Sequence, residues 1–122
     1  MATGPVQVGD PAPVFIQDCK TRWGRYSFDM AAGRYNILLF VPSLQDARTQ
    51  ALVDRLSHYR AQETERDYHC FVVTADPQDR IFDHKLASPP GVVFVWDSDR
   101  LVHDLYGIVP QSLFWVVTDP AL

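Results

Sequence analysis

The stretch over residues 38–49, LLFVPSLQDART, combines reactive side-chain types with a backbone pattern that often supports chemistry. An apolar segment of strand length leads into a Pro-Ser turn, and a helical pattern begins directly after it. A helix N-terminus stabilises negative charge, so a cysteine placed there would have a lowered pKa and would react readily as a nucleophile. This turn contains no cysteine, and its polar side chains are instead Ser43, Gln45, Asp46, Arg48 and Thr49.

Two interpretations of the turn follow from these residue types. In the first, Ser43 or Asp46 caps the following helix and Arg48 is solvated, so that the turn only supports the fold. In the second, the turn is a pocket that binds a small anion at the helix N-terminus. We favour the first interpretation, because the carboxylate of Asp46 would repel a bound anion.

The chain has two cysteines, Cys19 and Cys70, and contains no C-x-x-C sequence. Neither a zinc knuckle nor a dithiol redox motif is therefore present. Cys70 begins an apolar strand pattern, and we expect it to be buried and inert. Cys19 lies beside a predicted hairpin, where we expect it to be nearer the surface, and no predicted helix N-terminus is close enough to lower its pKa.

The histidines are scattered through the sequence rather than grouped at the spacings that metal sites use. We expect them to lie at the surface or at its boundary, and we predict neither a metal nor a cofactor. The four histidines are His58, His69, His84 and His103.

The composition is that of one globular domain covering residues 1–122, with an extended lead-in over residues 1–13. Apolar residues make up 47% and charged residues 21% of the chain. A net charge of -4 and the lack of a Lys/Arg cluster argue against a nucleic-acid partner. No apolar run approaches the roughly 18 residues of a membrane span, and the start lacks a signal-peptide pattern. We therefore predict a cytoplasmic protein that binds neither nucleic acid nor membrane.

Apolar segments of strand length alternate with helical patterns along the chain. The predicted strands are VFIQDC, YNILLFV, CFVVTA, VVFVW and LFWVV, with a hairpin in KTRWGRYSF. The helical patterns cover about residues 46–65, 77–86 and 98–106. Asp76 and Pro77 suit the N-cap and first position of the second helix, Asp97 or Ser98 suits the cap of the third, and Gly107 suits its end. This alternation predicts βαβ units and a mainly parallel sheet covered by helices.

The order of these segments resembles the peroxiredoxin branch of the thioredoxin-like fold, the alkyl hydroperoxide reductase/thiol-specific antioxidant family. The resemblance covers almost the whole chain. It implies an α/β, three-layer sandwich with a mixed, mainly parallel central sheet. The stretches that carry it are VGDPAPVF, YSFDMAAGRYNILLFVPS, FVVTADPQDRIFDHK, FVWDSDRLVHDLYGI and FWVVTDPAL.

The chain departs from this family at the active site, whose pattern is P-x3-T-x2-C. Laid on Pro42, the threonine of the pattern falls on Asp46 and the cysteine falls on Thr49. A threonine hydroxyl does not ionise usefully near neutral pH, and it has no sulfenate state through which to cycle. The resemblance thus implies a vestigial site of Pro42, Ser43, Asp46 and Thr49 in a redox-inactive domain, and we expect no enzymatic activity.

Two function hypotheses follow. The chain most resembles degenerate peroxiredoxin-like domains that precede iron- and 2-oxoglutarate-dependent oxygenases, on the stretch YGIVPQSLFWVVTDP. It has no His-x-Asp/Glu pair of its own, so this resemblance implies an accessory or interaction domain of an oxygenase-type enzyme. The alternative is a thiol-dependent peroxidase or oxidoreductase that uses Cys19 or Cys70.

The family's fold normally continues after the LFWVV segment with one more strand and a helix. Without them, we expect residues 113–117 to form an apolar edge strand and one sheet face to expose an apolar patch. Either the chain is a piece of a longer protein, or a partner completes the sheet. That partner would be a second copy in a homodimer or an oxygenase domain.

Overall fold

The computed structural model describes residues 12–20, 24–28, 33, 35–62, 68–81 and 92–118. Strands and helices alternate in these ranges as the sequence predicts. In chain order they are β1 (Ile16–Asp18), β2 (Arg25–Ser27), β3 (Tyr35–Val41), α1 (Ala47–Gln62), β4 (Tyr68–Thr74), α2 (Pro77–Ile81), β5 (Val92–Trp96), α3 (Leu101–Tyr106) and β6 (Phe114–Thr118).

The strands form a mixed, mainly parallel central sheet with a separate hairpin beside it. The order of the four central strands is β5-β4-β3-β6, and β1 pairs with β2 in an antiparallel hairpin. β3 and β5 both run parallel to β4, whereas β6 runs antiparallel to β3. The predicted α/β fold class with a mainly parallel sheet is confirmed.

Each face of the sheet buries its own apolar cluster, which explains why the central strands read as continuous apolar runs. Leu38 and Phe40 face one cluster, and Leu39 and Val41 face the other, because side chains alternate along a strand. The first face is covered by residues that flank the hairpin and by α3, namely Phe15, Phe28, Val102 and Tyr106. The second face is covered by α1 through Leu52, Val53 and Leu56.

The two outer edges of the central sheet differ. Residues that follow β1 close the β5 edge: Cys19 bridges Val95, and the Lys20 N–H donates to the Phe94 carbonyl at 2.8 Å. On the other side, no described residue pairs with the outer edge of β6. The exposed fractions of Phe114, Trp115 and Val117 in this strand are 36%, 43% and 67%. That residues 113–117 form an edge strand of the whole protein stays a prediction.

The helix ends follow the predicted capping chemistry. The Asp76 carboxylate accepts the Gln78 N–H at 2.9 Å, and Pro77 is the first residue of α2. α3 ends at Gly107, whose φ of 68° is the left-handed conformation that favours glycine. Arg100, just before α3, has a φ of 62° despite its Cβ, so the entry to this helix carries some backbone strain.

Some predicted features lie outside the described residues. These are most of the N-terminal lead-in, the predicted continuation of the second helix after Ile81, and His84. Within the described part of the chain, none of the helices has both the length and the apolar character needed to cross a membrane.

Candidate functional site

The turn highlighted by the sequence lies at the carboxyl end of β3 and leads into α1. Ligand sites in α/β sheets gather at the carboxyl ends of parallel strands, and the ends of β4 and β5 lie on the same side of this sheet. Pro42, Ser43 and Asp46 belong to the turn, and Thr49 lies in the first turn of α1. The structure therefore groups the four residues of the predicted vestigial site.

Asp46 is the cap of α1. Its Oδ1 accepts the Arg48 N–H at 2.8 Å, and its Oδ2 forms an ion pair with the Arg48 guanidinium at 3.3 Å. The hydrogen bond from the Arg48 side chain is the main reason that the pKa of Asp46 lies below its usual range, and the backbone N–H groups of Arg48 and Thr49 add to it. Asp46 is thus ionised near neutral pH, and it accepts hydrogen bonds from backbone N–H groups at the start of the helix. The predicted capping role is confirmed for Asp46.

Ser43 does not cap α1. Its hydroxyl donates to Asp76 Oδ2 at 2.8 Å and accepts the Gln45 N–H at 3.1 Å. The contact with Gln45 stabilises the turn after β3, and the contact with Asp76 links this turn to the start of α2. Ser43 therefore acts as a connector between the two neighbouring strand ends.

The sequence analysis does not predict the role of Asp79, a buried carboxylate of α2 that packs against the turn after β3. Only 1% of Asp79 is exposed, and its Oδ2 accepts the Leu44 N–H at 2.7 Å and the Thr74 hydroxyl at 2.6 Å. Its Oδ1 lies 3.3 Å from Ser43 Oγ and 3.4 Å from Gln45 Nε2. The side chain of Asp79 thus accepts hydrogen bonds from several donors of this turn.

The residues around Asp79 do not indicate that its side chain is buried. An acidic residue in the first turn of a helix is common at solvent-exposed positions, because it complements the helix dipole. Asp79 is buried only because α2 brings its first turn against residues 43–45. The Thr74 hydroxyl at the end of β4 was the one polar group in the apolar CFVVTA strand, and such a group suggests a buried polar partner.

Thr49 has no exposed surface, and its Oγ1 has no hydrogen-bond partner among the residues that the structure describes. Asp46 lies beside it and interacts with its backbone N–H. A thiolate or substrate anion in this turn would therefore meet two carboxylates that already use the nearest donors. The described contacts join the turn to the starts of α1 and α2.

The two cysteines lie away from this turn and on opposite faces of the central sheet. Cys70 is 1% exposed and belongs to the cluster beneath α1, as predicted. The expectation that Cys19 lies nearer the surface is wrong, since it is 3% exposed and belongs to the other cluster. The chain after β1 continues along the edge of β5, where Cys19 pairs with Val95 in a β-bridge. This pairing places the Cys19 side chain in the apolar cluster on that face of the sheet. Neither cysteine forms a disulfide.

A second buried carboxylate, Asp97, follows β5 on the same side of the sheet. It has no exposed surface and accepts the N–H groups of Val102 and His103 at 2.9 and 2.8 Å. It also accepts Gln17 Nε2 at 2.8 Å and faces His103 Nδ1 at 2.6 Å. Burial alone would raise the pKa of Asp97, but the hydrogen bonds from His103, Val102 and Gln17 outweigh it and hold the pKa below its usual range. The prediction that Asp97 or Ser98 is the N-cap of α3 is wrong, since the N-cap residue is Arg100; the Asp97 carboxylate nevertheless accepts two N–H groups in the first turn of the helix.

His103 corrects the prediction that the histidines lie at or near the surface. His58 is exposed and His69 is half-buried, but His103 has no exposed surface and stacks edge-on against Phe40 with ring centroids 5.1 Å apart. Its Nε2 is buried, and none of the described residues forms a hydrogen bond with it. The carboxylate of Asp97 holds the ring from the Nδ1 side, so this pair fastens α3 to the sheet.

No group of three or more potential metal ligands forms within the described ranges. Asp79 and Asp97 are both buried carboxylates, but their described partners are amides, hydroxyls and one imidazole. Their hydrogen bonds join strand ends to helices.

No protein-family model and no curated protein matches this sequence. Among solved structures, the chain is similar to a yeast mitochondrial 1-Cys peroxiredoxin, with 18% identity and a TM-score of 0.73 over 95% of this chain and 63% of that one. It therefore spans less than two thirds of the yeast protein.

Two further similar structures come from other organisms. The Plasmodium vivax 2-Cys peroxiredoxin has 16% identity and a TM-score of 0.76 over 93% of this chain and 79% of that one. AhpC of Mycobacterium tuberculosis has 14% identity and a TM-score of 0.74 over 95% of this chain and 78% of that one. At these identities the similarity establishes the fold alone: the chain has a thioredoxin-like α/β fold similar to that of these peroxiredoxins.

Proposed function

We propose that this chain is a redox-inactive accessory domain that works by binding another protein segment. The observation that carries the proposal is that the hydrogen-bond donors of the turn after β3 are already bonded to side chains of the chain itself. Two carboxylates, Asp46 and Asp79, use its donors, and a buried threonine stands at the position that the family pattern gives to sulfur. This argument rests on the register P-x3-T-x2-C laid on Pro42.

The electrostatics of the turn support this proposal. Peroxide reduction by a thiol needs a thiolate, which a helix N-terminus and a nearby cation stabilise. Here the only cation that the described contacts place at the turn is Arg48, and it is paired with Asp46. The amide of Leu44 is bonded to Asp79. The turn therefore has little capacity left to stabilise a further negative charge.

The surface at β6 supports the binding part of the proposal. Phe114, Trp115 and Val117 are exposed on a strand whose outer edge is open among the described residues. Such edges pair readily with an added strand. We propose that a second copy of the chain or an oxygenase domain occupies this surface in the cytoplasm. The oxygenase link rests on the resemblance of YGIVPQSLFWVVTDP.

A thiol oxidoreductase that uses Cys19 or Cys70 is the alternative. Both thiols are buried, at 3% and 1% exposure, and each lies in an apolar cluster. Burial in apolar surroundings disfavours the thiolate and blocks access of peroxide. This hypothesis therefore requires local opening of the sheet edge at Cys19 or of α1 above Cys70.

A peroxide-consumption assay separates the two functions. We expect the wild-type chain, mixed with hydrogen peroxide and dithiothreitol, to consume peroxide no faster than the reductant alone. Cys19→Ser and Cys70→Ser should give the same rate, with circular dichroism confirming that each variant is folded. Turnover that disappears in one of these variants would establish the oxidoreductase and end the accessory-domain proposal.

Thr49→Cys tests whether a cysteine at this position would be enough to give a reactive thiol. We expect the new thiol to react with peroxide no faster than free cysteine at the same pH, because the side chain is buried and Asp46 lies beside it. Thiol reactivity is measured with a chromogenic disulfide reagent, first on the native protein and then in denaturant, with wild type as the control for Cys19 and Cys70. A fast reaction of the native variant would mean that the turn still activates a nucleophile.

A further inference from the structure

We propose that the exposed face of α3 binds a basic, apolar segment of another protein. This α3 surface consists of Leu101 and Leu105 together with the carboxylates of Asp99 and Asp104. The inference rests on the proposed accessory function, and it names the surface that binds and the chemistry of the partner. The helix lies on the opposite face of the sheet from α1.

The helix turns two leucines outward and a polar side chain inward. Leu101 and Leu105 are four residues apart, so they share one helix face, and they are 41% and 46% exposed. His103 and its partner Asp97 have no exposed surface. Burying an imidazole and a carboxylate costs free energy unless both are hydrogen-bonded, whereas burying leucine is favourable. A local arrangement that goes against stability in this way is expected where a surface has a function.

Contacts within the chain hold the helix in this orientation. The Asp97 carboxylate accepts the N–H groups of Val102 and His103 at 2.9 and 2.8 Å, and it faces the imidazole Nδ1 at 2.6 Å. At the last residue of the helix, the Tyr106 hydroxyl donates to the Pro13 carbonyl at 2.8 Å. Turning α3 to bury its leucines would break these hydrogen bonds. A partner that approaches from outside can cover the leucines and leave them intact.

The charges around the leucines favour a basic partner. Asp99 and Asp104 are exposed, and neither forms an ion pair with a described residue. The Asp99 side chain is held in place beside the helix, since its Oδ1 accepts Gln17 Nε2 at 2.7 Å. Arg100 is the one Lys or Arg residue between positions 97 and 109, so negative charge is in excess there. Lysine or arginine side chains of a partner would form charge-assisted hydrogen bonds with these carboxylates.

The same charges argue against a second copy of the chain as the partner. Two copies meeting through this surface would bring like carboxylates together, and each copy has a net charge of -4. A self-association through α3 would also show itself without any added partner. The amide signals of α3 would then shift with protein concentration alone in NMR spectra, and that result would overturn the inference.

The small size of the surface predicts a weak interaction. Two half-exposed leucines and their neighbours bury far less than the roughly 1,200 Å² at the lower end of standard interfaces. We expect a Kd on the order of 100 μM. Because the carboxylates are exposed, we also expect the affinity to fall as salt is added.

Two synthetic peptides test the chemistry of the partner. Both carry leucines along one face of an amphipathic helix, and the polar positions are lysine in one peptide and glutamate in the other. In an NMR titration of the isotope-labelled chain, the lysine peptide should shift the amide signals of α3. It should bind at least about tenfold more tightly than the glutamate peptide. Equal affinities, no binding, or shifts centred outside α3 would each overturn the inference.

Leu105→Ser tests the surface itself, with Ile81→Ser as the matched control. Ile81 is 61% exposed, which is more than Leu105, but it lies on α2. We expect Leu105→Ser to weaken binding of the lysine peptide at least about fivefold, because apolar contact area is lost. Ile81→Ser should bind it as wild type does. Equal affinities of the two variants, with circular dichroism showing that both are folded, would contradict the assignment to α3.

Asp104→Asn tests the charge at the same surface. The substitution keeps the size of the side chain and removes its negative charge. We expect it to weaken the lysine peptide about twofold to fivefold and to reduce the dependence of its affinity on salt. An unchanged affinity together with an unchanged salt dependence would mean that this carboxylate does not face the partner, and the basic partner would be ruled out.

The experiments separate this inference from the proposed function. Cysteine-dependent peroxide turnover would overturn the redox-inactive accessory domain, and the peroxide assay does not involve α3. The peptide titration reports on the α3 surface and does not depend on either cysteine. Failure of the lysine peptide to bind would therefore remove this inference while the peroxide assay decides the other.

Discussion

Asp97→Ala is expected to lower the free energy of unfolding by about 3–5 kcal/mol, because several buried donors lose their acceptor at about 1–3 kcal/mol each. The substitution leaves His103 Nδ1 and the Val102 and His103 N–H groups without their acceptor in a site that excludes water. Because these donors belong to the start of α3, we expect that helix to loosen first. Urea unfolding followed by circular dichroism at neutral pH measures the loss.

Asp104→Ala is the matched control for Asp97. Asp104 is an exposed carboxylate in the first turn of the same helix, and its removal should change stability by less than about 1 kcal/mol through the helix dipole. Comparable losses in the two variants would show that Asp97 acts as a general charge at the helix start rather than as a buried acceptor.

The same carboxylate gives a pH dependence with a defined sign. The pKa of Asp97 in the folded chain lies below its ordinary value of 3.8, so the folded state favours the ionised form. Its contribution is fully present above the unfolded pKa and is lost as the pH falls through the lower folded value. The stability difference between wild type and Asp97→Asn should therefore stay constant above about pH 5 and shrink as the pH falls below the unfolded pKa. A difference that grows on acidification would contradict this assignment.

Asp79→Ala should have the next largest effect, a loss of about 2–4 kcal/mol. The variant leaves the Leu44 N–H and the Thr74 hydroxyl without their acceptor and removes the closest link between α2 and the turn after β3. Urea unfolding at neutral pH again gives the free energy. Asp79→Asn, which keeps the shape, should also lose most of this stability, because its amide group turns a donor toward groups that are themselves donors.

Asp76→Ala is the comparison within the same helix. Asp76 accepts the Gln78 N–H as the cap of α2 and also accepts Ser43 Oγ, but it is only half-buried. We expect its removal to cost about 1 kcal/mol, as for an ordinary cap. If Asp76→Ala were as damaging as Asp79→Ala, the turn would depend on the cap rather than on the buried carboxylate.

The sequence predicts the features of this fold that depend on local chemistry. The apolar run YNILLFV identifies a strand buried on both faces, since its alternate side chains must enter two clusters. Asp46, Asp76 and Gly107 are recognisable helix ends, because their side chains or backbone preferences satisfy nearby groups. The order of the segments is enough to indicate the peroxiredoxin-like architecture.

Burial that depends on tertiary packing is much harder to predict. In α3, Leu101 and Leu105 have the spacing of an apolar stripe, yet they are 41% and 46% exposed. The helix instead turns Val102, His103 and Tyr106 inward, because Asp97 captures the amides and the imidazole at its start. Nothing in the local pattern shows that a carboxylate from the preceding loop sets the orientation of this helix.

Thr74 belongs to both buried carboxylate centres, and this makes them energetically dependent on each other. Its hydroxyl donates to Asp79, while its carbonyl accepts the Asp97 N–H at 2.8 Å. A shift of this one residue at the end of β4 would lengthen contacts at the starts of α2 and α3 together. The carboxyl-terminal rim of the sheet is therefore a cooperative unit, in which the two aspartates contribute to a shared coupling free energy rather than to two separate sums.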